Sequence, residues 1–142
     1  MGMSFVPDAE ELNTWGRGRR NATQSLGRFY AQSGFDRQNA QIAQRFDRRN
    51  LAMQYKQMRD KIPGSFVGRG LLNSGLYGQA LQDYGTQKTQ AYGALGRKYQ
   101  QMFGQNRINT QNAEQDYANQ MGDIANSEQT RRQQLAAQIR GY

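Results

Sequence analysis

Acid–base chemistry in this chain would have to come from its eleven carboxylates: Asp8, Glu10, Glu11, Asp36, Asp47, Asp60, Asp83, Glu114, Asp116, Asp123 and Glu128. A working pair needs two such groups held at one substrate-facing point by a rigid supporting shell. Asp36 and Asp47 each precede an arginine, Arg37 and Arg48, which reads as solvated surface charge. Glu114 and Asp116 would project about 200° apart on a helix and cannot serve one site. Ser25, Ser33, Ser65, Ser74 and Ser127 have no imidazole to act as base, since the chain holds no His, and none opens a Ser-x-x-Lys frame. The absence of Cys removes disulfides, thiolate nucleophiles and zinc–thiolate sites as well. These residues point to a protein that is not an enzyme, with no catalytic residues, no metal site and no cofactor.

The remaining chemistry is cationic. Arg17, Arg19, Arg20, Arg28, Arg37, Arg45, Arg48 and Arg49 open a run from Arg17 to Arg69 that holds 12 basic and 3 acidic residues, within a chain of formal net charge +8. Such an excess suits phosphates, contacted without choosing a base sequence, or an acidic protein surface. Trp15, Phe29 and Tyr30 could stack on bases, but aromatics at helical spacing more often pack a seam. The charges are spread around a helix rather than along one reading face, and no zinc-finger or sheet-based recognition signature accompanies them.

What must position these groups is helical. Hydrophobic residues make up 36% of the 142 residues, roughly a fifth are Gln or Asn, and the mean hydropathy is −1.00. So little apolar material cannot build a large globular core, whereas narrow helical seams remain within reach. From Leu76 to Ile139 the larger side chains recur by threes and fours. Ala91, Met102, Ala113, Ile124 and Leu135 form one eleven-step column, and Tyr84, Leu95, Asn106, Tyr117, Glu128 and Ile139 form another. A strand would alternate every second residue, so the pattern predicts one long helix. A period of eleven is about 3.67 residues per turn, and its seam runs straight or winds gently right-handed. Such a stripe needs a partner helix, from this chain or another copy.

Taken in order, residues 1–20 read as an N-terminal arm. Pro7 and the acids Asp8, Glu10 and Glu11 suit one short helical turn, Gly16 and Gly18 form a basic hinge, and Phe5, Val6, Leu12 and Trp15 are enough to dock on a partner. A first long helix is expected over 21–62, capped by Asn21 and stopped at Pro63. It holds a tandem repeat, FDRQNAQIAQR (Phe35–Arg45) followed by FDRRNLAMQYK (Phe46–Lys56), which matches Phe35 with Phe46, Ile42 with Met53, and Ala40 with Leu51. Phe35, Ile42, Phe46 and Met53 are assigned to its seam, to meet Tyr84, Leu95, Met102, Tyr117, Ile124 and Leu135. Residues 63–74 form a Pro/Gly-rich turn, with Pro63, Gly70, Asn73, Ser74 and Gly75 as turn and cap residues and Phe66, Val67, Leu71 and Leu72 plugging its end. Residues 75–142 form the second long helix. Its glycines at 85, 93, 96 and 104 either let helix axes approach or interrupt it. An unbroken second helix would approach 100 Å against about 60 Å for the first, leaving its far part uncovered and arguing for an oligomer.

No run of about 18 apolar residues offers a membrane span, and the start MGMSFVPDAEELNTW lacks the basic-then-apolar layout of a secretion signal. A soluble chain with no membrane partner is expected.

The run Arg69–Gly70–Leu71–Leu72–Asn73–Ser74–Gly75, continuing through Ala80–Leu81–Gln82–Asp83–Tyr84 into a Gln-, Ala- and Tyr-rich helix, resembles small virion-associated structural proteins of tailed bacteriophages over about Gly68–Tyr99. The resemblance implies a non-enzymatic helical component in many copies, in the capsid interior, portal, connector or tail, present in the virion and in the host cytoplasm during assembly. Gly70, Asn73, Ser74 and Gly75 would be structural-motif residues. The expected fold is all-α and non-globular, an extended hairpin of long helices with an 11-residue periodicity. Its expected partners are copies of itself, other virion proteins and, non-specifically, double-stranded DNA. Two other readings stand beside it: a free nucleic-acid-binding helical protein, and a Gln-rich adaptor that folds on a partner.

Overall fold

A computed structural model describes residues 6–68, 70 and 75–141. The fold is all-α and hairpin-like, with no strand among the described residues: α1 spans Ala9–Val67 and α2 spans Gly75–Arg140.

Helix α1 begins twelve residues before the expected start at Asn21, so the segment read as an arm is mostly its first turns. Asp8 supplies the cap. Its Oδ1 accepts the Glu11 amide at 2.7 Å, and Glu10 and Glu11 place negative charge where the first-turn amides are unpaired. Gly16 and Gly18 do not form a hinge. Gly18 lies against Ile124, where an added Cβ would sit 3.0 Å from the isoleucine Cδ1, so its missing side chain permits a close approach.

Pro63 does not stop α1 either; it lies inside the helix. A proline removes one amide donor and crowds the carbonyl four residues back, at about 3 kcal/mol in a helix interior. Only the Arg59 carbonyl is affected so close to the end. One turn later Phe66 packs edge-on against Tyr77, ring centroids 5.4 Å apart, which helps hold the last turn. The stop comes at Gly70, whose φ of +69° is a conformation L side chains rarely adopt, with its amide bonded to the Val67 carbonyl at 3.0 Å. Leu71, Leu72, Asn73 and Ser74 lie outside the described residues, and Gly75 is the first residue of α2.

Helix α2 runs unbroken through its glycines. A Cβ added at 85, 96 or 104 would have nothing within 4 Å, and one at Gly93 would meet only Arg97 of its own helix, so close helix approach does not explain them. With 59 and 66 residues, α1 and α2 are nearly matched. The expected uncovered length of α2, and the argument for an oligomer built on it, therefore falls away.

The chain divides into two units, Met1–Gly34 with Arg107–Tyr142, and Phe35–Asn106. In each, a stretch of α1 runs antiparallel to a stretch of α2. In the first unit Glu11 pairs with Arg131 at 2.9 Å and Arg19 with Glu128 at 2.6 Å; the Tyr30 hydroxyl donates to Glu114 at 2.8 Å, and the Ser33 and Thr110 hydroxyls meet at 3.2 Å. Ala22, Ser33 and Leu135 are buried there. In the second, Arg37 donates to the Asn106 side-chain amide oxygen at 3.4 Å, the Tyr55 hydroxyl to the Gln87 backbone carbonyl at 3.2 Å, and the Tyr99 hydroxyl to Asp47. Ala40, Tyr55 and Tyr99 are buried.

Candidate interaction faces

The side of each helix that faces inward decides which residues remain for other work. On α2 the expected side is used: Tyr84, Leu95, Tyr117 and Ile124 are half-buried and Leu135 is buried, while Met102 and Ile139 point outward. On α1 the phase differs from expectation. The covered positions are Ala22, Ser33, Gln44, Tyr55 and Phe66, eleven apart, together with Phe29, Ala40, Leu51 and Ile62, also eleven apart. Of the matched pairs in the tandem repeat, Ala40 and Leu51 turn inward.

Phe35, Ile42, Phe46 and Met53 turn outward instead, at 59%, 57%, 62% and 55% exposure. The inward side of α1 is held by its contacts with α2: Asp47 takes the Tyr99 hydroxyl, the Tyr55 hydroxyl donates to the Gln87 backbone carbonyl, and the Tyr55 ring meets Tyr84 edge-on at 5.9 Å. Rotating α1 to bury both phenylalanines would withdraw Asp47 and Tyr55 from these contacts.

The four outward residues fall within an arc of about 40° at 100° per residue, so they form one narrow apolar stripe along α1 in the second unit. Beside it stand exposed Arg45 and Arg49, with exposed Arg48 about 140° away around the helix, and none of the three makes an ion pair among the described residues. Arg17, Arg20 and Arg28 are exposed in the first unit. Arg19 is not free for an outside anion, because Glu128 holds it. Arg37 is exposed and reaches Asn106.

Asp47, read from sequence as surface charge, is a half-buried acceptor. It takes the Tyr99 hydroxyl, with the Lys98 ammonium 3.8 Å away and 5.4 Å from the Tyr99 ring centroid. The hydrogen bond to Asp47, with burial and the nearby negative charge adding to it, raises the Tyr99 pKa above its ordinary 10.0. The bond to Glu114 raises Tyr30 in the same direction. Both phenols therefore stay protonated near neutrality, as donors in fixed bonds. No group of three or more Asp or Glu able to hold a metal occurs among the described residues.

Of the residues expected to dock on a partner, Phe5 lies outside the described residues, while Val6 and Leu12 are exposed at 67% and 46%. Trp15 is half-buried and lines a shallow hollow with Glu11 and Arg131 of its own chain. No described helix is long and apolar enough to cross a membrane. Comparison with protein-family models, curated proteins and solved structures finds no match to this chain.

Proposed function

We propose that this protein is a non-enzymatic helical assembly subunit of a tailed-phage particle, whose work is to hold other subunits in place. The observation that carries the reading is the outward stripe of Phe35, Ile42, Phe46 and Met53, large apolar groups that the chain's own pairing leaves uncovered. Contiguous exposed apolar surface of this kind marks an interaction face. The phage context rests on the resemblance over Gly68–Tyr99. In this role the neighbouring Arg45 and Arg49 face acidic protein or packaged DNA at the edge of the contact.

The test is recovery. The protein should be found in purified particles at a fixed stoichiometry, and Phe46→Glu should lower that stoichiometry while leaving the helical content of the isolated chain unchanged. Loss of neither incorporation nor stoichiometry would remove the stripe from the role. A second reading, a free protein that coats nucleic acid, draws on the arginines that make no ion pair. It requires salt-sensitive DNA binding by the isolated chain that fails when Arg45, Arg48 and Arg49 are changed to Gln.

A further inference from the structure

From the order of residues along the stripe we infer that its occupant is a second copy of this chain, paired antiparallel about a two-fold axis level with Gln44. Phe35 and Met53 lie nine residues before and after that level, and Ile42 and Phe46 lie two before and two after. A two-fold contact requires that if one residue meets another, the second copy returns the same contact. The stripe satisfies this from end to end: Phe35 faces Met53 of the second copy, and Ile42 faces Phe46. Each level then sets a phenylalanine against an aliphatic or thioether side chain, which fills an interface evenly. A parallel pairing would stack Phe35 on Phe35 and Ile42 on Ile42, alternating crowded and thin layers.

The flanks agree with the same operation. A two-fold axis of this kind brings like edges together. One edge carries Asn39, Ala43 and Asn50, so Ala43 approaches its counterpart near the axis while Asn39 comes within one residue's rise of Asn50 of the second copy. The other carries Arg45 and Arg49, exposed on both copies, which repel across the rim. Moderate salt therefore strengthens the pairing, the reverse of what binding to DNA or an acidic partner would show. At somewhat over half exposure the four stripe residues offer roughly 400 Å² per copy. The flanking side chains bring this toward the ~800 Å² per partner of a standard interface.

This pairing rests on the assembly reading but is tested apart from it. Sedimentation of the isolated full chain at about 100 µM, a concentration that populates even a weak dimer, should show a dimer that tightens between low and moderate salt. Ile42→Glu and Phe46→Lys should each weaken it at least tenfold without loss of helicity. An equimolar mixture of the two variants should restore the dimer, because the introduced carboxylate and ammonium face each other at one level and Ile42 faces Phe46 at the other. A wild-type monomer, a dimer indifferent to both changes, or a mixture that stays monomeric overturns the inference. Incorporation of a monomeric chain into particles would sink the self-pairing alone, whereas a dimer never found in particles would sink the phage reading alone.

Discussion

Tyr99 donates its hydroxyl to a carboxylate oxygen of Asp47, and its ring is the largest fully buried side chain among the described residues. One residue thus fills the space between the helices of the second unit and fixes their register. Tyr99→Phe, which keeps the ring and drops the bond, should lower the urea midpoint measurably. Tyr99→Ala should lower it much further. Equal losses would mean that the hydrogen bond, and not the packing, sets the stability here.

The same bond fixes a pH dependence. Tyr99 and Tyr30 both have pKa values raised in the folded chain above the ordinary 10.0. Above pH 10 the unfolded chain loses these protons first and so binds fewer than the folded one, and stability falls as pH rises. The contribution is complete below about pH 10 and is lost as pH climbs through the folded values. Thermal melts from pH 9 to pH 11.5 should show this decline, and the double variant Tyr30→Phe, Tyr99→Phe should flatten it.

Burial separates the two apolar sets on energetic grounds. Leu135→Ala removes a side chain that is 2% exposed and should cost about 2–5 kcal/mol. Ile42→Ala and Phe46→Ala, measured at low protein concentration, should stay within about 0.5 kcal/mol of wild type, as exposed positions do. The reverse ranking would restore the phase of α1 expected from the tandem repeat.

Two glycines in α1 should respond differently to the same change. Gly27 has nothing within 4 Å of an added Cβ, so Gly27→Ala should stabilise by about 0.5–1 kcal/mol. Gly18→Ala should gain less, because Ile124 must shift. Trimming that neighbour with Ile124→Val should recover part of the difference, a coupling that a double-mutant cycle in chemical denaturation reads directly.

The helical class and most of the inward side of α2 were legible in the sequence because two eleven-step columns, Tyr84, Leu95 and Tyr117 in one and Ile124 and Leu135 in the other, fall on one face of a helix, although Met102 and Ile139 from the same columns point outward. The ends of α1 were less legible. Asn21 is a good cap and Pro63 a good breaker taken locally, but the Asp8 capping bond and the close approach of Gly18 to Ile124 carry the helix in front of Asn21, and Phe66 packed on Tyr77 holds the turn after Pro63. Pairing of Asp47 with Tyr99 was invisible for a different reason: the two are 52 residues apart, and nothing local in either stretch signals the other.

Sequence by itself determined that the chain is helical, basic and without the side chains of thiol or imidazole chemistry, since those follow from residue types and their local spacing. Only the tertiary structure decided which face of α1 is covered. The tandem repeat offers Ala40 and Leu51 on one side and Phe35, Ile42, Phe46 and Met53 on another with equal regularity. The hydrogen bonds of Asp47 and Tyr55 to α2, and the packing of Tyr55 on Tyr84, select the first side and leave the second to the outside.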